Sequence, residues 1–224
     1  MSTTLETAPA IERLAVKEFR ISVLLSGKHG RGSNLAALFQ ATLTGLIPGG
    51  VIVQVIGTHT DSPALARARN LGLTVEIVDT KSGDFDTELI TSIDRAQPDV
   101  ICLAGYMRKV PAQVVSRYRH RILNIHPGLL PSFAGMGMYG SHVHQAVLDY
   151  GAKVTGCTVH LIDEEYDTGP IILQKVVPVL EGDSAATLGE RVLIEEHASY
   201  AEALKLIAEG RITVEGRIVH IRDA

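Results

Sequence analysis

The chain has two cysteines and no tryptophan in 224 residues. Cys102 and Cys157 lie inside apolar runs and belong to no CxxC or metal-ligand spacing, so they read as buried, reduced thiols of a cytoplasmic protein. Aromatic residues make up only 4%, which leaves little material for a platform that stacks bases or sugars. Charge of one sign is also scarce. Twenty-five Asp and Glu face 21 Lys and Arg, for a net charge of −4, without the clustered basic surface of a nucleic-acid-binding protein. No apolar run approaches the ~20 residues that cross a bilayer. The start, MSTTLETAPAIERLAVKEF, lacks the basic beginning and apolar core of a secretory signal. Hydrophobic residues at 46% and charged residues at 21% are ordinary globular usage. The abundant residue is glycine, at 21.

Short apolar runs recur along the first half of the chain: Arg20–Ser26, Val51–Gly57, Leu73–Asp79, Asp99–Gly105 and Arg121–Pro127. Between them lie segments with helical spacing: Leu35–Leu46, a helix through Leu71 with Ser62 as N-cap and Pro63 at its first position, Asp84–Ala96, and a short helix opened by Pro111. Continuous apolar strands alternating with helices predict an α/β fold, a doubly wound and mostly parallel sheet covered on both faces. After Pro127 the rhythm changes. A glycine-rich loop, GLLPSFAGMGMYGS, precedes a helix over His142–Tyr150. Two alternating runs, Lys153–Ile162 and Ile171–Val179, are expected as antiparallel strands added to one side, with Pro178 suited to an edge. A long helix from Ser184 to about Glu209 and a terminal hairpin, RITV-EG-RIVHI, complete the chain. The expected organisation is a tail over 1–19 and a single domain over 20–224.

In an open parallel sheet, ligands bind beyond the carboxyl ends of the strands. Topology alone therefore gathers SGKHGRGSN, GYMRKV and NIHPGLLP. In the first loop, Gly27, Gly30 and Gly32 leave N–H groups accessible, and Ser33 and Asn34 can cap the next helix, an arrangement suited to phosphate. A glycine turn with unusual dihedrals accounts for the loop equally well. The loop is neither a Walker loop nor GxGxxG. Asn124 and His126, two apart on a strand, project to one face, where a carboxamide and an imidazole can both serve a developing oxyanion. The turn Asp163–Pro170 is either a solvated acidic loop or the means by which Asp167 approaches His126. In the second case, the carboxylate is expected to raise the histidine's pKa and favour imidazolium. His142 and His144 begin a helix, where positions i and i+2 do not share a face, so no metal is expected from them. His160 reads equally as a polar partner of the site or as a packed, hydrogen-bonded histidine. Nothing signals a covalent nucleophile.

Taken in order, LLSG, GRGSNL, LAGYMRKV, NIHPGLLPSF and VTGCTVHLIDEEYDTGPIILQ resemble the folate-dependent formyltransferases, over about Ile21 to Arg211. The NIHP and DTGP pair carries the wider resemblance, and the GSNL loop is similar to that of the phosphoribosylglycinamide (glycinamide ribonucleotide) formyltransferases. The resemblance implies a Rossmann-like fold and direct transfer of formyl from 10-formyltetrahydrofolate, as co-substrate, to the amine of 5-phosphoribosylglycinamide. That step belongs to de novo purine biosynthesis, passes through a tetrahedral intermediate and uses no metal. By the same resemblance Asn124, His126 and Asp167 are catalytic. Gly32, Ser33 and Asn34 hold the substrate phosphate, with Glu196 as a further substrate contact. Met107, Arg108, Lys109, Val110, Asp163, Glu164, Glu165, Tyr166 and Asp167 bind folate.

The implied partners are small molecules, with no nucleic acid and no membrane, and a homodimer is left open. Two stretches depart from the simplest family pattern. Lys28-His29-Gly30-Arg31 lengthens the first loop, and AGMGMYGSHVH is expected to form a mobile flap over the substrate. Formyltetrahydrofolate hydrolase, or another formyltransferase with the same Asn/His/Asp site, is the alternative. The short flanks are expected to leave no room for the extra domains of the hydrolase or the methionyl-tRNA enzyme. From other classes, a dehydrogenase lacks its fingerprint, and a non-enzymatic nucleotide-binding module gives the three polar residues no shared purpose.

Overall fold

The computed structural model describes residues 17–26 and 30–223. The expected tail lies almost wholly outside the described residues, as does Gly27 of the first loop. Strand β1 (Phe19–Leu25) is followed by α1 (Ser33–Leu43), β2 (Gly50–Gly57), α2 (Pro63–Asn70), β3 (Val75–Ile77), α3 (Phe85–Ala96), β4 (Val100–Leu103), α4 (Ala112–Arg117) and β5 (Ile122–His126). Then come α5 (Ser141–Tyr150), β6 (Val154–Leu161), β7 (Ile171–Pro178), α6 (Ala185–Ala208), β8 (Ile212–Glu215) and β9 (Ile218–Ile221). Seven strands form one sheet in the order β3-β2-β1-β4-β5-β6-β7, and β8 and β9 form a separate hairpin. Strands β1 to β5 run parallel, while β6 and β7 are antiparallel additions beyond β5. This is the architecture that the apolar runs predict.

The unbroken apolar character of the inner strands follows from burial on both faces. In β1, Ile21, Val23 and Leu25 enter one core with Leu35, Leu38, Val192 and Leu204 from α1 and α6. Leu24 points the other way, into a second core with Phe85, Leu89, Ile93 and Val114 from α3 and α4. Pro178 ends the edge strand β7, where its missing N–H interrupts no ladder. Helix α6 starts at a capping box in which the Ser184 and Thr187 side chains each serve the other's backbone.

The connections leave β1 and β4 in opposite directions across the sheet, and these two strands are neighbours. Their carboxyl ends therefore frame a crevice. Below it the buried Tyr200 hydroxyl lies 3.1 Å from both the Leu103 and Leu123 carbonyls, which joins β4 to β5 at the level of the site. One local expectation fails. Ser33 and Asn34 do not cap α1, because Gly32 is the N-cap, in the left-handed region at φ 67°, and the two polar residues are already inside the first turn. Gly32 is needed there for its φ, and a Cβ would also press on Ala64 at 3.0 Å.

Candidate active site

The three strand-end segments meet at a cavity of about 700 Å³, within the size range of small-molecule sites. Its walls include Ser33 and Asn34, residues 105–110, Asn124 to Pro127, residues 135–141, and Asp163, Glu165, Tyr166 and Asp167. Helix α6 adds Gly189, Leu193 and Glu196. Of the residues singled out in the sequence, Gly32 stands just outside the lining, and Glu164 faces solvent 4.0 Å from Arg119. The remainder of the set lines the cavity.

Antiparallel pairing places Asn124 opposite His160 and His126 opposite Thr158. Asn124 Nδ2 is 3.1 Å from His160 Nε2. His126 Nε2 is 2.9 Å from the Phe133 carbonyl. A carbonyl only accepts, so Nε2 carries the proton and Nδ1 presents a lone pair. Nδ1 lies 3.7 Å from Asp167 Oδ2, and Asp167 Oδ1 lies 3.6 Å from His160 Nε2. The Gly135 N–H donates to Asp167 Oδ2 at 3.0 Å.

Both Phe133 and Asp167 hold left-handed backbone conformations, at φ 50° and 56°, which cost a non-glycine residue on the order of 1–3 kcal/mol each. The surrounding hydrogen bonds hold them there. Asp163 Oδ1 accepts from the Glu165 N–H at 3.1 Å and from the Thr168 hydroxyl at 2.6 Å, closing the turn that presents Asp167. Thr158 donates to the Gly128 carbonyl at 2.7 Å and accepts from the Leu130 N–H at 3.1 Å, which anchors the chain leaving His126.

The electrostatics correct one expectation. Burial lowers the His126 pKa, and the opposing influence of Asp167 and the Phe133 carbonyl does not restore it. The imidazole is almost fully buried, and a carboxylate beyond hydrogen-bond reach returns less than lost hydration removes. Asp167 acts in the expected direction, but burial outweighs it and the net shift is downward. Burial pushes Asp167 upward, but His160, His126 and the Gly135 N–H together bring its carboxyl below the usual range.

In the same lining, Asn34 Nδ2 donates to Glu196 Oε2 at 2.9 Å across 162 positions of sequence. Burial raises the Glu196 pKa, and the Asn34 donor offsets this only in part. Among the described residues, Asn34 Oδ1 is buried without a partner. Of the other lining residues, Lys109 pairs with Glu165 at 3.1 Å, Arg108 sits 4.9 Å over the Phe85 ring, and the Met107 N–H donates to the Ser26 hydroxyl.

Sequence reasoning gave several wall residues no individual role in the site. His144 is buried on the inner face of α5 beside Val143 and Val147, and its imidazole fills the space over Gly189, where a Cβ would come within 2.9 Å of it. The apolar spacing of that helix was the available signal. Met136 and Met138 in the glycine-rich loop, and Gly189 and Leu193 on α6, carried none. Cys102 and Cys157 are buried, and burial pushes their thiols up to about 12 and about 11, which removes them as nucleophiles. Among the described residues, no group of three or more His, Cys, Asp or Glu side chains could hold a metal ion. Nor is any described helix long and apolar enough to cross a membrane.

A carboxamide donor, an imidazole with a free lone pair and a carboxylate, gathered in a largely buried pocket, can stabilise an oxyanion and move a proton. That is the equipment of acyl-type transfer. Comparisons with known proteins point the same way. The formyl transferase family model matches residues 19–204. The solved structure of glycinamide ribonucleotide transformylase 1 from Symbiobacterium toebii is 43% identical, with a TM-score of 0.86, and the match covers 95% of this chain and 99% of that one. The phosphoribosylglycinamide formyltransferase of Escherichia coli (strain K12) is 40% identical over 196 residues, covering 86% of this chain and 88% of the relative. The chloroplastic phosphoribosylglycinamide formyltransferase of Vigna unguiculata is 37% identical over 204 residues, covering 89% of this chain and 64% of that protein. The chain thus spans somewhat less than two thirds of the plant relative's length. With the fold, the strand-end site and a model match over most of its length in agreement, the chain belongs to the formyl transferase family.

Proposed function

We propose that this chain transfers the formyl group of 10-formyltetrahydrofolate to the amine of 5-phosphoribosylglycinamide, a step of de novo purine biosynthesis. The observation that carries the reading is one cavity lined both by Asn124, His126 and Asp167 and by the start of α1 with the Asn34–Glu196 pair. The first group suits the reacting carbon. The second suits a ribose phosphate, with backbone N–H groups for the phosphate and a carboxylate for hydroxyls. Folate would lie along Met107 to Val110 and the turn at 163–167. On this reading both partners are small molecules, residues 20–224 act as one domain behind a tail over 1–19, and the stretch 133–144 closes over bound substrate.

The chemistry follows from the geometry. The glycyl amine attacks the formyl carbon, and the carbonyl oxygen becomes an oxyanion. The Asn124 amide has an N–H beyond the one turned toward His160, and it donates to that oxygen, a contribution worth roughly 3–4 kcal/mol. His126 Nδ1, unprotonated at neutral pH, takes the proton that the attacking amine loses. The resulting imidazolium sits between the oxyanion and Asp167, where both favour it. It then delivers its proton to the folate nitrogen as the carbon–nitrogen bond to folate breaks. No enzyme-bound covalent intermediate forms.

An absorbance assay for release of tetrahydrofolate tests the proposal. Release is expected to require phosphoribosylglycinamide, and release of equal rate with water alone would assign the hydrolase activity instead. Glu196→Gln separates the roles of the two groups of residues. A charged acceptor for a hydroxyl is worth roughly 1.5–3 kcal/mol, so KM for the ribonucleotide rises on the order of tenfold or more, while KM for the folate donor moves little. The melting temperature rises in the same variant, because a carboxylate whose charged form burial disfavours has become a neutral amide. A matching rise in KM for folate would move Glu196 to the other substrate.

A further inference from the structure

His160 takes no part in the chemistry described above, yet it is fully buried between two of the three side chains that do. Its two nitrogens have different surroundings. Nδ1 is 3.0 Å from the Leu161 carbonyl, which can only accept, so the ring proton is on Nδ1. Nε2 then offers a lone pair, and what faces it is the Asn124 amide at 3.1 Å, with Asp167 Oδ1 beside it at 3.6 Å, beyond hydrogen-bond reach. Asn124 and His160 are directly opposed across the antiparallel pair β5 and β6, where cross-strand side chains approach most closely. The β6–β7 register shifts between Val159 and His160, an irregularity of the kind that re-aims a side chain.

A carboxamide has two similar ends with opposite hydrogen-bonding character. If Asn124 were turned over, its oxygen would meet the His160 lone pair, and its N–H groups would leave the position from which they serve the substrate. In a pocket without solvent around His160 that mismatch has no remedy. We propose that His160 is a positioning residue for formyl transfer, whose Nε2 lone pair selects the amide orientation in which Asn124 presents N–H to the formyl oxygen. The Leu161 carbonyl sets the tautomer, the tautomer sets the amide, and the amide supplies the oxyanion donor.

The inference rests on the formyl-transfer reading, and the tests keep the two apart. His160→Phe keeps a ring of similar shape without the lone pair. His160→Gln loses the ring but offers its amide oxygen where Nε2 stood. The positioning role predicts that His160→Phe lowers kcat on the order of 10–100-fold, less than loss of the Asn124 donor itself, with both KM values nearly unchanged. His160→Gln should recover most of that loss. A packing role predicts the reverse order, since the phenyl ring fills the site and glutamine does not. Near-normal kcat for His160→Phe, or His160→Gln no better than His160→Phe, overturns the proposal.

Should a variant fail to fold, the wild-type chain still decides. Long-range proton–nitrogen correlation spectra of its histidine rings should show the His160 proton on Nδ1, and a proton on Nε2 overturns the proposal. Absence of any formyl transfer by the wild-type chain would instead remove the functional reading, while the tautomer measurement would continue to test the amide geometry.

Discussion

His126→Ala is expected to lower kcat roughly a thousandfold, within the range that a positioned acid–base group supplies, while both KM values change little. The loss falls on kcat because the imidazole handles a proton that moves only during the reaction. The pH profile carries the sharper expectation. The lone pair on Nδ1 is the working form, and burial has lowered the pKa of His126. The acid limb of kcat/KM in the wild-type chain should therefore lie below the ordinary histidine value of about 6.5, with activity lost as the pH falls through it.

Asp167→Asn removes the carboxylate 3.7 Å from Nδ1 that partly opposes this lowering. Imidazolium is then less stable, so the acid limb moves further down in pH while kcat falls. An acid limb above pH 7, or one that moves upward in Asp167→Asn, would restore the imidazolium that the sequence alone suggests and would reverse the proton's direction in the mechanism.

Gly169→Ala is expected to destabilise the fold by about 3 kcal/mol, the upper part of the range for overpacking, measured by urea denaturation. Gly169 closes the acidic turn, and a Cβ there would stand 1.9 Å from the Leu161 carbonyl oxygen and 3.3 Å from the Asp163 nitrogen. Both are backbone atoms, so no side chain can rotate aside to relieve the overlap. The same carbonyl holds His160 by Nδ1, and the same turn presents Asp167, so kcat should fall with the stability. Gly83→Ala is the matched control. That position has open space and no left-handed requirement, and the change should shift stability by less than about 1 kcal/mol. Equal stability of the two variants would mean that the turn at Gly169 yields easily and does not set the site.

Much of this site is legible in the order of the residues. Asn124 and His126 share a side because strand side chains alternate, and they sit at a strand's carboxyl end because the apolar run stops there. Ser62 and Pro63 open α2 and Pro178 ends the edge strand as their chemistry demands. Other features left no mark. Glu164 and Glu165 are neighbours of identical type and both exposed, yet only Glu165 lines the cavity, where it pairs with Lys109, while Glu164 lies outside it beside Arg119. Ser33 and Asn34 look like caps, but the left-handed turn at Gly32 moves the start of α1 forward and turns Asn34 toward Glu196. The Phe133 carbonyl that sets the His126 tautomer belongs to the backbone, which side-chain patterns do not describe.

The linear sequence by itself determined the layers of this protein, the side of the sheet on which each polar residue lies, and which strand ends meet. These follow from local periodicity, since a strand repeats every two residues and a helix every 3.6. Only the tertiary structure decided that His126 is lowered rather than raised, that Asn34 meets Glu196, and that His160 faces Asn124 with a lone pair. Each of these depends on a distance of a few ångströms between residues remote along the chain, or on how much water the fold removes around one group. Coulomb and desolvation energies change steeply over such distances, and periodicity carries no record of them.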